Sequence, residues 1–311
     1  MCYNRSMTLQ QLRYIIGVSE SGSLNKAAET LYVSQPSLTA AIKEVEREFD
    51  IAIFNRSSKG ISLTQEGKEF IQYARGIYAQ YENLLEKFGG AKEKKRKFSV
   101  SCQHYSFATK SFVELVKKFG TSQYEFAIYE TKTLEVIENV ATQKSEVGVL
   151  YLSDFNRKAV SKILAANDLA FEKLIDCHAS VYLWKNHPLA KNKAITFDEL
   201  KDYPCLSFDQ GGNSSFYFAE EILTEKEYPK TIKTSDRATN FNLMVGLNGY
   251  TLCSGIICEE LNGSEFVAVP LQGGGESQDS VMEIGYIFKR NLILSEIGEE
   301  YVHQLKVYLK V

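Results

Sequence analysis

The stretch "LYVSQPSLTAAIKEVE", residues 31–46, places a proline where a helix begins. Leu38, Ala41, Ile42, Val45 and, just beyond, Phe49 share one face when set at about 100° per residue, so the segment is expected to be helical. With Ser34 as N-cap, its hydroxyl satisfies an orphan N–H of the first turn. Pro36 then falls in that turn, where its missing N–H costs nothing and its fixed φ suits the helix. The opposite face carries Pro36, Ala40, Lys43 and Arg47, flanked by Ser37 and Thr39. It is small near the N-terminus and basic further along. A helix that reads DNA needs both properties: close approach of its first turns to base edges, and flanks that reach phosphates. Gln35 can pair bidentately with adenine, and Ser37 or Thr39 can make less selective contacts. A capped amphipathic helix with a mixed polar surface fits the same residues, so the flanking sequence has to decide.

Upstream, Leu9, Leu12, Tyr14, Ile15, Ile16 and Val18 predict a well-buried helix. "GSLNKAAETL" predicts a second helix, capped by Ser23. Only Tyr32-Val33-Ser34 separates it from the third, which makes a helix-turn-helix. Downstream, "DIAIFNRSSKGISLT" reads as a β-hairpin, a wing that would bring Arg56, Ser57 and Lys59 near the DNA backbone or minor groove. A fourth helix is expected from about Thr64 to Phe88. Its Phe70, Ala74, Ile77, Tyr81, Leu84 and Phe88 recur at alternating steps of four and three, a seam that calls for a partner helix. Gly89-Gly90 ends it, and "AKEKKRK" reads as a solvated basic linker.

From Phe98 onward strands alternate with helices, which argues for parallel α/β layers. "KFSVSC", "YEFAIYE", "EVGVLYL", "HASVYLWK", "YPCLSF", "YTLCSGII", "FVAVPL" and "MEIGYIFK" are the strand candidates. Helices are expected around Phe112–Phe119, 236–247 and 294–309. Ligands bind at the carboxyl ends of such strands, which draws attention to the loops after "KFSVSC" and "YPCLSF".

The chain has 311 residues, 44% hydrophobic and 24% charged, enough for two or three ordinary globular domains. A net charge of −3 means that any DNA site is a local basic patch. The start has no apolar leader core and no run of about 18 apolar residues follows, so a cytoplasmic protein without membrane contact is expected. Six cysteines lack the spacing of a disulfide framework. Cys253 and Cys258 could form a redox pair, although lone thiols are usually buried small hydrophobes. No catalytic or metal-binding motif is present, the four histidines are scattered, and His187-Pro188 reads as an ordinary exit turn. No enzyme, metal or cofactor is therefore expected. The competing expectation is a solute-binding or enzymatic α/β protein with an N-terminal interaction module, and the helix-turn-helix argues against it.

The order "GSLNKAAETLYVSQPSLTAAI…E" followed by "F.R…GISLT..G" closely resembles the LysR-type transcriptional regulators, over roughly residues 8–90. The remainder fits more loosely, through "EVGVLYL", "LWKNHPLA" and "MVGLNGYTLCSGI". The resemblance implies an α/β protein with a winged helix-turn-helix over 1–63 and a dimerising linker helix with its basic linker over 64–97. An effector domain over 98–311 would follow, built from two Rossmann-like subdomains like those of periplasmic binding proteins. Subdomain I would take 98–172 and 268–311, and subdomain II 173–267. The implied partners are promoter DNA, a small-molecule co-inducer and further copies of the chain, as a dimer through the linker helix and a homotetramer. RNA polymerase is a candidate further partner. On matching positions Gln35, Pro36 and Thr39 fall where family members touch bases, and Arg56 and Lys59 fall in the wing.

Two departures stand out. Ala40 replaces an Arg common in the family, and Leu247 and Ser254 replace a glycine and a proline of the late loop. The effector cleft carries over by position only. His104, Tyr105 and Ser106 follow the first strand, Thr131 and Thr133 the second, and Ser207 precedes the "QGGNSS" loop with Gly211, Gly212, Asn213 and Ser214. Adjacent N–H groups and hydroxyls in that loop would suit a carboxylate or another anion.

Overall fold

The computed structural model describes residues 7–57, 60–88, 96–119, 123–211, 216–224, 226–272 and 281–311. The chain divides into two compact units, Met1–Lys92 and Glu93–Val311.

The first unit runs α1 (Leu9–Ser21), α2 (Leu24–Leu31), α3 (Gln35–Phe49), β1 (Phe54–Ser57), β2 (Gly60–Leu63) and α4 (Gln65–Phe88). Thr8 and Gln11 form a capping box on α1, and Ser23 caps α2 through the Lys26 N–H, each cap contributing about 1 kcal/mol. Ile15, Val18, Ala27, Leu38, Ile42 and Val45 meet in one core. The small Ala27 and Ala28 let the first three helices approach each other. Glu46 ties the end of α3 to the wing: its Oε1 accepts from the N–H groups of Ile53 and Phe54, at 2.9 and 3.2 Å. The α4 seam divides in two. Ala74 is buried in its own unit, whereas Ile77, Leu84 and Phe88 are exposed, Phe88 by 76%.

The second unit runs β3 (Arg96–Cys102), α5 (Ser106–Lys118), β4 (Tyr124–Glu130), α6 (Thr133–Ala141), β5 (Val147–Leu152), α7 (Arg157–Ala166) and β6 (Leu169–His178). It continues with β7 (Ser180–Trp184), α8 (Phe197–Leu200), β8 (Cys205–Phe208), β9 (Thr231–Thr234), α9 (Arg237–Leu247), β10 (Thr251–Cys253), α10 (Glu259–Asn262) and β11 (Phe266–Pro270). β12 (Val281–Lys289) and α11 (Glu296–Leu309) complete it. One sheet has the order β4-β3-β5-β12-β6, a second β10-β7-β11, and β8 pairs with β9. Every residue of β5 is buried because helices cover both faces of its sheet. Val147 and Val149 face a core shared with Phe107, Leu115, Tyr301 and Leu305, while Leu150 and Leu152 face Val136, Val140 and Val160.

Several expectations change. The parallel pattern holds for β3 with β4 and β5, but β12 runs antiparallel to both β5 and β6. "HASVYLWK" is not one strand: the chain leaves the first sheet after His178 and enters the second at Ser180. The passage from one sheet to the other is therefore at Ala179. β11 keeps Phe266–Pro270 in the second sheet. β6 was not anticipated because its Glu172, Lys173 and Asp176 interrupt the apolar signal, as an edge strand permits. Of "YTLCSGII" only Thr251–Cys253 pairs, and of "AKEKKRK" Arg96 and Lys97 already belong to β3. His187 lies in the turn that leaves β7, its N–H donating to the Trp184 carbonyl at 3.0 Å. It is buried, its Nε2 donates to the Asn248 carbonyl at 3.0 Å, and its Nδ1 accepts from the Leu189 N–H at 3.1 Å. Burial holds its pKa below the usual imidazole value, in keeping with that neutral tautomer.

Candidate nucleic-acid interface and ligand cleft

The first turn of α3 is built as a presenting surface. Ser34 Oγ accepts from the Ser37 N–H at 3.2 Å and contacts Ser37 Oγ at 2.7 Å. Gln35 and Pro36 are the first two helical residues. Ser34 to Ser37, Ala40 and Lys43 are exposed, as is Arg47, while Leu38, Ile42 and Val45 are buried beneath them. Gln35 Nε2 lies 3.4 Å from Thr39 Oγ1 one turn on, so the two polar groups expected to face bases are neighbours. α2 stops sharply at Tyr32, whose left-handed backbone (φ 55°) turns the chain into α3.

The wing is fastened to the turn between α1 and α2. β1 and β2 pair from Phe54 with Leu63 to Ser57 with Gly60. The Ile61 N–H donates to the Gly22 carbonyl at 3.2 Å. Gly60 has φ +122°, and a Cβ there would lie 3.3 Å from that same carbonyl, so glycine suits the site on both counts. Of Arg56 and Ser57 the strand positions are described, and Lys59 lies outside the described residues.

In the second unit a cleft opens at the carboxyl end of β3, bounded by α9, β10 and the segment around Glu220, and encloses about 670 Å³ including its open mouth. His104, Tyr105 and Ser106 line it. Thr131, Thr133 and Ser207 do not. Thr133 is buried, where its hydroxyl accepts from Gln103 Nε2 at 2.6 Å, and Thr131 donates to Glu135. Ser207 gives its carbonyl to Thr234. Gly211 ends its described stretch, and Gly212, Asn213 and Ser214 lie outside the described residues.

The strongest polar groups of the cleft were not anticipated. Glu220 and Glu221 are both buried. Glu220 Oε2 accepts from the His104 N–H and from His104 Nδ1, both at 2.8 Å, and its Oε1 accepts from Gln210 Nε2 at 2.9 Å. The His104 ring stacks on Phe208 with centroids 3.8 Å apart. Glu221 Oε1 accepts from the Phe208 N–H at 2.8 Å. Burial, reinforced by the Glu220 charge, pushes the Glu221 carboxyl up to about 8. Arg237, at the start of α9, forms an ion pair with Glu130. Tyr182, Asn240, Phe241 and Met244 complete the α9 side. No local pattern in "FAEEIL" marks these glutamates, because their partners belong to other elements: Phe208 and Gln210 at 13 and 10 residues, and His104 at 116.

Cys253 lines the cleft and Cys258 lies just behind, where its N–H donates to Ser106 Oγ at 3.2 Å. Both are free thiols, and burial pushes Cys253 up to about 12, which disfavours the thiolate a redox switch needs. Among the described residues no helix is long and apolar enough to cross a membrane.

Residues 9–68 match the model of the bacterial regulatory helix-turn-helix proteins of the lysR family. A probable RuBisCO transcriptional regulator of Phaeodactylum tricornutum is 28% identical over 71% of this chain and 70% of its own. The Hca operon transcriptional activator HcaR of Escherichia coli is 25% identical over 86% of this chain and 88% of its own. A full-length OxyR variant of Pseudomonas aeruginosa shares the fold with a TM-score of 0.67 at 17% identity, covering 98% of this chain and 95% of that one. These relatives are transcriptional regulators, not enzymes.

Proposed function

We propose that this chain, which belongs to the LysR family of DNA-binding transcriptional regulators, reads promoter DNA with the first turns of α3 and is tuned by a small molecule held in the cleft beside Glu221. The observation that carries the DNA reading is the exposed, Ser34-capped start of α3 set over a buried apolar face. Ser34, Gln35, Pro36, Ser37 and Thr39 form the base-facing turn, and Lys43 is placed to reach a phosphate. Arg56, Ser57 and Lys59 of the wing would add backbone or minor-groove contacts. Ala40 leaves room where an Arg would otherwise reach a base, so the operator preference of this protein differs at that position.

The exposed Ile77, Leu84 and Phe88 of α4 support self-association through that helix, since an apolar seam in water gains free energy by covering itself. Two-fold pairing of recognition helices then sets a two-part operator. Assembly of dimers into a homotetramer and contact with RNA polymerase extend the same proposal. A mobility-shift assay with DNA from upstream of the protein's own gene at low salt tests the core of it. A specific complex is expected, and its absence would count against promoter recognition.

A further inference from the structure

Three polar atoms of the cleft residues are buried and meet no hydrogen-bond partner among the described residues: Glu221 Oε2, Asn240 Oδ1 and Thr251 Oγ1. The three residues are 5%, 1% and 7% exposed. Buried polar groups are nearly always satisfied, so three bare ones on residues that line one hollow point to a missing partner. The network fixes the sense of the bonds that partner must make. Asn240 Nδ2 donates to Thr234 Oγ1 at 3.2 Å, and the Thr234 hydroxyl is then free to donate to the Ser207 carbonyl at 3.5 Å. The amide oxygen is therefore the end of Asn240 left over, an obligate acceptor. An ionised Glu221 is also an acceptor only, and the Thr251 hydroxyl can serve either way.

Charge points in the same direction. Arg237 is paired with Glu130, and His104 sits on Glu220. Both Glu220 oxygens are taken by His104 and Gln210, whereas Glu221 Oε2 has no partner among the described residues. The opposing side is apolar and aromatic, with Tyr182 and Phe241 at a centroid distance of 6.0 Å and Met244 beside them. Aromatic faces attract cations.

We infer that the cleft takes a compact organic amine or amidine, whose N–H donors engage Glu221 Oε2 and Asn240 Oδ1 while its apolar body lies against Tyr182, Phe241 and Met244. This rests on the cleft being the effector site. It differs from the anion expected for the "QGGNSS" loop, of which 212–215 lie outside the described residues. A carboxylate here would set its own oxygens against the Asn240 acceptor. In the free protein the Glu221 carboxyl, pushed up to about 8, is largely neutral. An arriving cation favours the ionised form, so the Glu221 proton leaves to solvent while the ligand keeps its charge.

The test is thermal shift on the full chain at neutral pH with ligand pairs that share a skeleton: benzylamine and benzamidine against benzoate, phenethylamine against phenylacetate, and butylamine against butyrate. Amines or amidines are expected to raise Tm with dose, because a ligand of the native state stabilises it. Glu221→Gln is expected to weaken that binding by about tenfold or more. Thr251→Val, which keeps shape, is a second variant should the first not fold, and is expected to weaken binding severalfold. Stabilisation by the carboxylates alone would overturn the amine class and leave the effector cleft standing. No shift with any pair at millimolar concentration would also overturn it. A mobility-shift assay with the stabilising amine separates the two readings: Tm raised with DNA binding unaltered supports the ligand class and refutes the effector role.

Discussion

A Cβ on Gly67 would lie 2.0 Å from the carbonyl oxygen of Ile53. The first turn of α4 is pressed against the chain entering the wing, and Thr64 holds it there: its N–H donates to the Ile53 carbonyl at 3.0 Å and its hydroxyl accepts from the Gly67 N–H at 2.8 Å. The threonine and glycine of "SLTQEG" are therefore two halves of one joint.

Gly67→Ala should destabilise the first unit although alanine is the better helix former. Overpacking of a tight contact costs about 1–3 kcal/mol, more than the propensity gain of up to about 1 kcal/mol. Chemical denaturation followed by circular dichroism measures it, and an unchanged or raised midpoint would refute the joint.

Gln35→Ala should weaken specific DNA binding by about 1–3 kcal/mol and leave nonspecific binding nearly intact. Ser34→Ala should in addition lower stability by about 1 kcal/mol through loss of the cap, as read by chemical denaturation. Fluorescence anisotropy with operator and scrambled duplexes at matched salt separates specific from nonspecific binding. Equal loss on both duplexes for Gln35→Ala would show that Gln35 does not read bases.

Leu84→Asp should shift the full chain toward monomer, because a charge in the middle of the exposed α4 seam would have to be buried in any paired state. Sedimentation or light scattering reports it, with Lys68→Ala on the exposed face of the helix as the control. A variant as associated as the wild type would place the interface elsewhere.

Stability should fall with rising pH through Glu221. Its carboxyl ordinarily titrates near 4.5 and is pushed up to about 8 in the fold, so between those values the native state holds a proton that the unfolded chain has lost. Such a group adds stability below the unfolded value and loses it as pH rises toward the folded one, at about 1.4 kcal/mol per pH unit at most. Glu221→Gln should flatten this slope in urea melts taken between mildly acidic and mildly alkaline pH. Parallel slopes for the two proteins would mean that Glu221 is ionised throughout.

The first unit was legible because its signals are local. Ser34 caps Ser37, Leu38 and Ile42 lie one turn apart, and the seam repeats along a single helix, so neighbours in sequence are neighbours in space. The wing could be placed for the same reason, its two strands being separated by a turn. The cleft was half legible. The loop after β3 follows from the rule that ligands sit at the carboxyl ends of parallel strands, and it does carry His104, Tyr105 and Ser106. Thr131, Thr133 and Ser207 were drawn in by the same rule, yet Thr133 is consumed by Gln103 and Thr131 by Glu135.

The sequence by itself determined that a capped helix presents Gln35 and Ser37 over a buried face, because cap, proline and apolar period all act within a few residues. Only the tertiary structure decided the character of the cleft. His104 and Glu220 meet across 116 positions of sequence, and Asn240 and Thr251 reach the same hollow from α9 and β10. Whether a buried glutamate is paired or bare depends on those long-range placements, and so does its pKa. Arg237 lines the same hollow but is held by Glu130, so Glu221 stands there without an ion-pair partner.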